Sequence, residues 1–235
     1  MNQRIKRIRI LEEQLNVSFE NIDLLNTALT HSSFVNQKKH IDYNERLEFL
    51  GDSVLQLTIS EYLFKELHGK SEGELTRLRS LIVCENSLHS VGRDWNIGNF
   101  LLMSKGEELT GGRSRTSILA DAVEAVIAAI YLDKGYDAAR EFILLHFKEV
   151  INLALDNKIV LDYKTRLQEV LQKDGEISIA YKLEKYDGPP HRRRFFVNLE
   201  VANKVLGSGE GFSKKEAEQM AAKEVLLAME NKNEE

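Results

Sequence analysis

The chain has 235 residues, of which 43% are hydrophobic, and it carries a formal net charge of −5 and one cysteine. This composition is typical of a globular protein with one or two domains, and the lone cysteine excludes an internal disulfide and a thiolate zinc cluster. The longest apolar run, 118–132, is too short to span a bilayer, and the N-terminal residues lack the apolar stretch of a signal peptide. We therefore expect a cytoplasmic protein.

Residues 1–40 are predicted to form two or three short helices. His31 follows one of them. A lone histidine at a helix end is typical of a hydrogen-bonded structural residue, so we assign it no ligand role.

Residues 44–53 open a long apolar helix that is predicted to run to about Leu67. At about 3.6 residues per turn, Glu45, Glu48 and Asp52 fall within an arc of about 60°. Apolar residues cover nearly all of the remaining circumference, which predicts a helix packed inside a domain. Unpaired buried carboxylates cost on the order of several kcal/mol each, and no Lys or His lies on the acidic face. A divalent cation is the partner that fits best.

The next helix begins at a predicted capping box formed by Ser71 and Glu74. Glu72 lies in its first turn, where physical reasoning alone favours a surface acid that complements the helix dipole. The helix is predicted to span 75–91, and Cys84 within it is interpreted as a packed thiol.

A second core helix, 118–132, contains only two charged residues, Asp121 and Glu124, on one face. Acids in two core helices are explained most simply if the helices cross with their carboxylates facing one another. The carboxylates could then surround one or two hard cations. The alternative is that the acids pair with basic residues, namely Arg46, Arg113 and Arg115.

The pattern changes after a helix predicted at 137–154. A short helix is followed by alternating strands and by a last helix that Ser213 caps and that ends at Met229. The order α-β-β-β-α predicts an all-α domain followed by a small α+β domain. The predicted boundaries are 1–155 for the first domain, 156–161 for a linker and 162–231 for the second domain.

Residues 44–53 (NERLEFLGDS) resemble the signature of bacterial ribonuclease III, and residues 117–125 resemble its second acidic motif. The C-terminal order of elements, with residues 188–191 (GPPH) and 213–219 (SKKEAEQ), resembles the double-stranded-RNA-binding domain of that family. The resemblance covers nearly the whole chain.

The resemblance implies an endoribonuclease that hydrolyses both strands of double-stranded RNA and leaves 5′-phosphate and 3′-hydroxyl ends, as in the processing of ribosomal and messenger RNA precursors. It implies Mg²⁺ as cofactor, with Mn²⁺ able to substitute, and a homodimer formed through the catalytic domain. The implied metal ligands are Glu48, Asp52, Asp121 and Glu124. The implied catalytic residues are Asp52, Glu124, Glu45 and Glu72, and for Glu72 this replaces the surface-acid interpretation.

Double-stranded RNA presents 2′-hydroxyls in its minor groove and phosphates across its major groove. Polar residues on one face of the first helix of the small domain can meet those hydroxyls: Thr165, Gln168, Glu169 and Gln172. His191, on a turn, can enter a second minor groove, and Lys214 and Lys215 can meet phosphate at a helix N-terminus. Many related domains carry a third basic residue where this chain has Glu218, so we expect weaker phosphate affinity.

Two other functional classes fit less well. A double-stranded-RNA-binding protein with an inert helical domain is at odds with the intact set of acids. A dimetal-carboxylate oxidoreductase of the helix-bundle kind needs Glu-x-x-His pairs, and none of the six histidines has a Glu three residues before it.

Overall fold

The computed structural model describes residues 3–35, 42–156, 159, 163–173, 177–189 and 193–233. The chain divides into two compact units, Met1–Ile159 and Val160–Glu235. Within the described residues, no helix has the length and apolar character needed to cross a membrane.

The first unit is helical. Its helices are α1 (Gln3–Gln14), α2 (Ile22–Ala28), α3 (Ser32–Val35), α4 (Glu45–Glu66), α5 (Glu72–Ile82), α6 (Glu85–Asp94), α7 (Lys105–Leu109), α8 (Thr116–His146) and α9 (Lys148–Leu155). Helix α8 packs against α2, α4 and α6 and forms the centre of the core. Between Ile118 and Ile130 every residue is buried except Asp121 and Glu124. The two acids therefore lie at the edge of an apolar helix.

Helix α8 is broken at Gly135, whose φ of 83° lies in the left-handed region that favours glycine. The break separates the two helices that the sequence predicts on either side of it. The second of these is divided again at Phe147, where α8 ends and α9 begins.

The prediction of one helix over 75–91 is wrong. Helix α5 begins at Glu72, with the predicted capping box of Ser71 and Glu74 at its N-terminus, and ends at Ile82. The backbone is extended at Cys84 (ψ 156°), and α6 begins at the next residue. Apolar residues continue at helical spacing across the break because both helices bury one face in the same core, so periodicity alone does not reveal it. The Cys84 Sγ lies 3.3 Å from the Leu81 carbonyl oxygen, as expected for a packed thiol.

The expectation that α4 is packed on all sides is also wrong. Phe49 is 78% exposed, Leu57 57% and Phe64 72%. These residues, eight and seven positions apart, share one stripe of the helix. The first unit thus presents an apolar stripe on the helix that also carries Glu48 and Asp52.

The second unit has the predicted order α-β-β-β-α, which confirms the fold class. Its elements are α10 (Tyr163–Leu171), β1 (Ile179–Asp187), β2 (Arg194–Val201), β3 (Lys204–Gly211) and α11 (Lys214–Asn233). The strands form an antiparallel sheet in the order β1-β2-β3, and α10 and α11 share a core with Leu199 and Val201 of β2.

Helix α11 lies directly on strand β3. Three alternate glycines, Gly207, Gly209 and Gly211, face the helix, and a Cβ placed on Gly209 would lie 2.2 Å from the Ala217 carbonyl oxygen. Helix and strand therefore meet backbone to backbone, which fixes where the N-terminus of α11 lies.

Candidate active site and RNA-binding surface

The two acid-bearing helices touch at Gly51. A Cβ placed there would lie 1.8 Å from the carbonyl oxygen of Glu124, so only glycine permits this crossing. Gly51 lies one residue before Asp52 and three after Glu48, and its contact on α8 is the backbone of an acid. The close approach of α4 and α8 therefore holds acids from both helices at one place, as the sequence predicts.

The electrostatics of these acids show that they act on one another. The pKa of Glu124 is raised from 4.5 to about 8, first by burial and then by the negative charges of Asp52, Glu48 and Asp121. Burial also raises the pKa of Glu48, with further increases from Asp121, Glu45 and Asp52. The structure thus places the four predicted metal ligands, and Glu45, within electrostatic range of one another.

The proposed neutralisation by arginines is not observed. Arg113 Nε donates to Glu108 at 2.6 Å, and the same guanidinium also bonds to the carbonyl oxygens of Gly98 and Leu101. Arg115 forms an ion pair with Glu107. In the described ranges, no ion pair joins a Lys, Arg or His to the four acids. The Gln56 amide donates to both Asp52 oxygens at 2.8 and 2.9 Å.

The chemistry of this donor set fits a hard divalent cation. Carboxylate oxygens are the ligands that such ions prefer, and partly buried carboxylates with raised pKa values gain most when a positive charge neutralises them. Among the described side chains, no three His, Cys, Asp or Glu groups converge closely enough to enclose an ion.

Two residues near the site were missed from the sequence. Burial is the main cause that raises the pKa of Asp121. The charge of Glu85 raises this pKa further, and the charge of His31 lowers it. The His31 ring is also hydrogen-bonded, as expected, with Nδ1 2.8 Å from the Ser33 hydroxyl. Both residues come from other segments of the chain, and neither belongs to an acidic motif, so spacing along the sequence gives no sign of them.

Glu72 lies apart from the acid cluster within one chain. It accepts a hydrogen bond from the Thr76 hydroxyl at 2.9 Å and lines a groove of about 640 Å³ between α4 and α5. Apolar walls of that groove include Leu57, Phe64 and Leu75. The family resemblance implies that Glu72 is catalytic, whereas in a single chain it lines the groove between α4 and α5.

In the second unit, a polar groove of about 690 Å³ lies between α10, the start of β1 and α11. Three of the predicted RNA-contacting residues of α10 line it, Thr165, Gln168 and Gln172, together with Lys215. The Gln168 amide donates to the Gln172 side-chain oxygen at 3.2 Å. Glu169 does not line this groove, and its carboxylate instead lies 3.4 Å from Arg166.

The N-terminus of α11 forms the other side of this surface. The Ser213 hydroxyl accepts a hydrogen bond from the Glu216 backbone N–H at 3.1 Å, which confirms the predicted cap. Lys214 Nζ lies 4.0 Å from Glu218. His191, the predicted residue for a second minor groove, lies outside the described residues.

Comparisons with known proteins agree with this architecture. A family model described as Ribonuclease-III-like matches residues 21–150, and one described as Double-stranded RNA binding motif matches residues 163–229. Ribonuclease 3 from Clostridium beijerinckii is 63% identical over 227 residues, which cover 97% of this chain and 98% of the relative. Ribonuclease 3 from Clostridium botulinum (strain Eklund 17B / Type B) is 66% identical over 220 residues, covering 94% and 95%.

Among solved structures, the nuclease domain of ribonuclease III from Campylobacter jejuni is 44% identical, with a TM-score of 0.57 over 60% of this chain and 96% of that chain. That structure is described in terms of flexibility in a region involved in dimer formation. These matches confirm the resemblance seen in the sequence and exclude the helix-bundle oxidoreductase. The chain belongs to the ribonuclease III family of metal-dependent endoribonucleases that act on double-stranded RNA.

Proposed function

We propose that this chain is a cytoplasmic, Mg²⁺-dependent homodimeric enzyme that hydrolyses both strands of double-stranded RNA to 5′-phosphate and 3′-hydroxyl ends. Precursors of ribosomal and messenger RNA are the proposed substrates. The observation that carries this proposal is the Gly51 contact, which holds partly buried acids of α4 and α8 near one another without a described ion pair to Lys or Arg.

Four residues would hold the ion: Glu48, Asp52, Asp121 and Glu124. A bound Mg²⁺ supplies activation of a water molecule and stabilisation of the leaving 3′ oxygen, and Mn²⁺ is proposed to substitute. The chain contributes the fixed carboxylates, of which Asp52 is oriented by the Gln56 amide. Asp52 and Glu124 are the proposed essential residues, and Glu45 is proposed to act beside the scissile phosphate.

The proposed dimer explains why Glu72 stands apart in a single chain. Phe49 is 78% exposed at one end of the apolar stripe of α4, while the groove between α4 and α5 offers an apolar surface at the other. In a twofold pair, Phe49 of each subunit can enter the groove of the other, because the same patch then serves both subunits. Phe49 follows Glu48 directly, so this pairing carries Glu72 of one subunit toward the acid cluster of its partner.

The dimer is tested by Phe49→Asp. Because the side chain lies outside the core, the variant should fold like the parent yet sediment as a monomer of 26.9 kDa at micromolar concentration. The parent should sediment at about twice that mass. Leu109→Asp changes another highly exposed apolar residue and should remain dimeric. A dimeric Phe49→Asp protein, or a monomeric parent, would show that this stripe is not the interface.

The reaction is tested with purified protein on a long RNA duplex and on its separated strands. We expect cleavage of the duplex at millimolar Mg²⁺, none in EDTA and little on the single strands, with 5′-phosphate ends on the products. Cleavage in EDTA, or equal cleavage of the separated strands, would contradict the proposed chemistry and substrate.

RNA binding in the second unit is proposed for the residues predicted from the sequence. The groove between α10 and α11 supports this role for Thr165, Gln168 and Gln172 as hydroxyl-contacting groups and for Lys215 as a phosphate contact. Lys214 is proposed to join Lys215 at the N-terminus of α11. Glu169 and His191 stay proposals from the sequence alone.

A further inference from the structure

Glu218 holds a lysine that none of the assignments above includes. Its Oε2 accepts a hydrogen bond from Lys164 Nζ at 2.6 Å, and its Oε1 lies 4.0 Å from Lys214 Nζ. The Glu218 side chain is only 15% exposed, whereas those of Lys164 and Lys214 are 34% and 58% exposed. One shielded carboxylate thus lies between two lysines that face solvent.

Lys164 lies at the RNA-facing groove. It lines that groove beside Thr165, Gln168 and Lys215, and its Nζ lies 4.5 Å from the centre of the Tyr181 ring. The ammonium is therefore held at the base of α10 by a carboxylate on one side and an aromatic face on the other.

The backbone of α10 is held by the same turn of α11. The Gln219 side-chain oxygen accepts hydrogen bonds from the backbone N–H groups of Tyr163 at 2.7 Å and Lys164 at 3.3 Å. Since Gln219 fixes where α10 begins, Glu218 is not needed to place the helix. The Glu218 carboxylate therefore changes the charge of the groove and not its shape. Its removal should leave the groove in place.

We propose that Glu218 sets the affinity for duplex RNA by competing with RNA phosphates for Lys164 and Lys214, so that Lys164 is a further phosphate contact of this domain. The inference rests on the proposed RNA-binding surface. The Lys164 and Lys214 side chains are more exposed than that of Glu218, and Lys214 lies 4.0 Å from it, so an RNA phosphate can reach both lysines from the solvent side. A lysine that is already paired releases fewer counterions when RNA binds, which lowers both the affinity and its dependence on salt.

The test measures the dissociation constant of the full chain for a long RNA duplex in EDTA, where no cleavage occurs, over a series of salt concentrations. Glu218→Gln should bind about three- to tenfold more tightly at ~0.1 M salt, and the slope of log Kd against log salt should steepen by roughly 1. Glu216→Gln removes a charge from the same turn, but its carboxylate bonds to the Phe212 backbone N–H. This control should shift affinity less and leave the slope nearly unchanged.

Two further variants assign the effect to Lys164. In Lys164→Met/Glu218→Gln most of the gain should disappear, because the released lysine is missing. Lys164→Met alone should weaken binding about tenfold, because it removes a phosphate contact and leaves the Glu218 carboxylate facing the RNA. This single variant decides the question even if Glu218→Gln proves unstable on thermal melting.

Lys215→Met separates this inference from the surface on which it rests. Weaker binding by Lys215→Met with unchanged or weaker binding by Glu218→Gln would overturn the role of Glu218 and leave the surface in place. Unchanged binding by Lys215→Met would overturn the surface itself. Tighter binding by Glu218→Gln that persists without Lys164 would overturn the assignment of Lys164 as a phosphate contact.

Discussion

The helical unit gathers charge of one sign at a partly buried place, whereas the C-terminal unit pairs opposite charges at its surface. At the crossing of α4 and α8, burial and the charges of neighbouring acids raise the pKa values of Glu48 and Glu124. Around α10 and α11, Lys164 and Lys214 lie within ion-pair distance of Glu218, and both lysine side chains reach solvent. Uncompensated charge in a buried site lowers stability and needs a partner from outside the chain. Exposed pairs change stability little and can be exchanged for another anion.

The largest expected effect tests the dependence of the acid cluster on an external cation. Glu124→Gln keeps the volume of the side chain and removes one carboxylate, so cleavage of a long duplex at millimolar Mg²⁺ should fall by about three orders of magnitude, or about 4 kcal/mol in activation free energy. Duplex binding should stay within about twofold of the parent because the surface of the second unit is unchanged. Glu141→Gln, an exposed acid on the same helix, should cleave normally. Cleavage near the parental rate would remove Glu124 from the proposed site.

The helix crossing itself is tested by Gly51→Ala. The added methyl group would overlap the Glu124 carbonyl oxygen, so α4 and α8 must separate, with a loss of about 2–4 kcal/mol of unfolding free energy. Gly73→Ala, in α5 with open space around it, should instead be neutral or about 0.5 kcal/mol more stable. Urea denaturation of both variants measures the difference. Equal stabilities would mean that the close approach places no constraint on the core.

The repulsion within the cluster predicts how stability changes with pH when metal is absent. The folded-state pKa of Glu124, about 8, lies above its ordinary value of 4.5, so the folded state binds the extra proton and loses stability as pH rises from 4.5 through 8. Glu124→Gln lacks this loss. In EDTA it should be about 1–2 kcal/mol more stable than the parent at pH 8.5, a value discounted for solvent screening, and the difference should vanish near pH 5. A difference in stability that does not vary with pH would contradict the raised pKa of Glu124.

The smallest expected effect concerns a partly buried histidine, His146, that is distant in sequence from the acids. Trp95 Nε1 donates to His146 Nδ1 at 3.2 Å, and burial lowers the pKa of His146 below 6.5. Because the unfolded chain binds this proton more readily, stability is present above pH 6.5 and falls as pH drops toward the lowered pKa. Between pH 7.5 and 5.5, His146→Gln should lose less stability than the parent by at most about 1 kcal/mol. Thermal melting at both pH values measures the two losses of stability. Equal losses in the variant and the parent would contradict the lowered pKa of His146.

The sequence predicted those features that leave a repeated local pattern. Acids at helical spacing in apolar helices marked the crossing of α4 and α8, and alternation with turn residues marked the three strands of the second unit. Both patterns arise because the period of a helix or strand decides which residues lie on its buried face.

Features that depend on contacts between distant segments were not predicted. The approach of His31 and Glu85 to Asp121 requires knowledge of how four helices pack. The exposure of Leu57 and Phe64 was missed because an apolar stripe has the same sequence pattern whether it meets the core or a partner. The groove that contains Glu72 likewise forms only when α5 lies against α4.

The glycine contact between β3 and α11 has a consequence for how this family can vary. Because a Cβ on Gly209 or Gly211 would overlap the backbone of α11, the position of the helix on the strand depends on these glycines. Lys214 and Lys215 lie on the outer side of α11, so substitutions there should leave the packing of the domain unchanged. Side chains added at Gly209 or Gly211 should instead displace the helix from the strand.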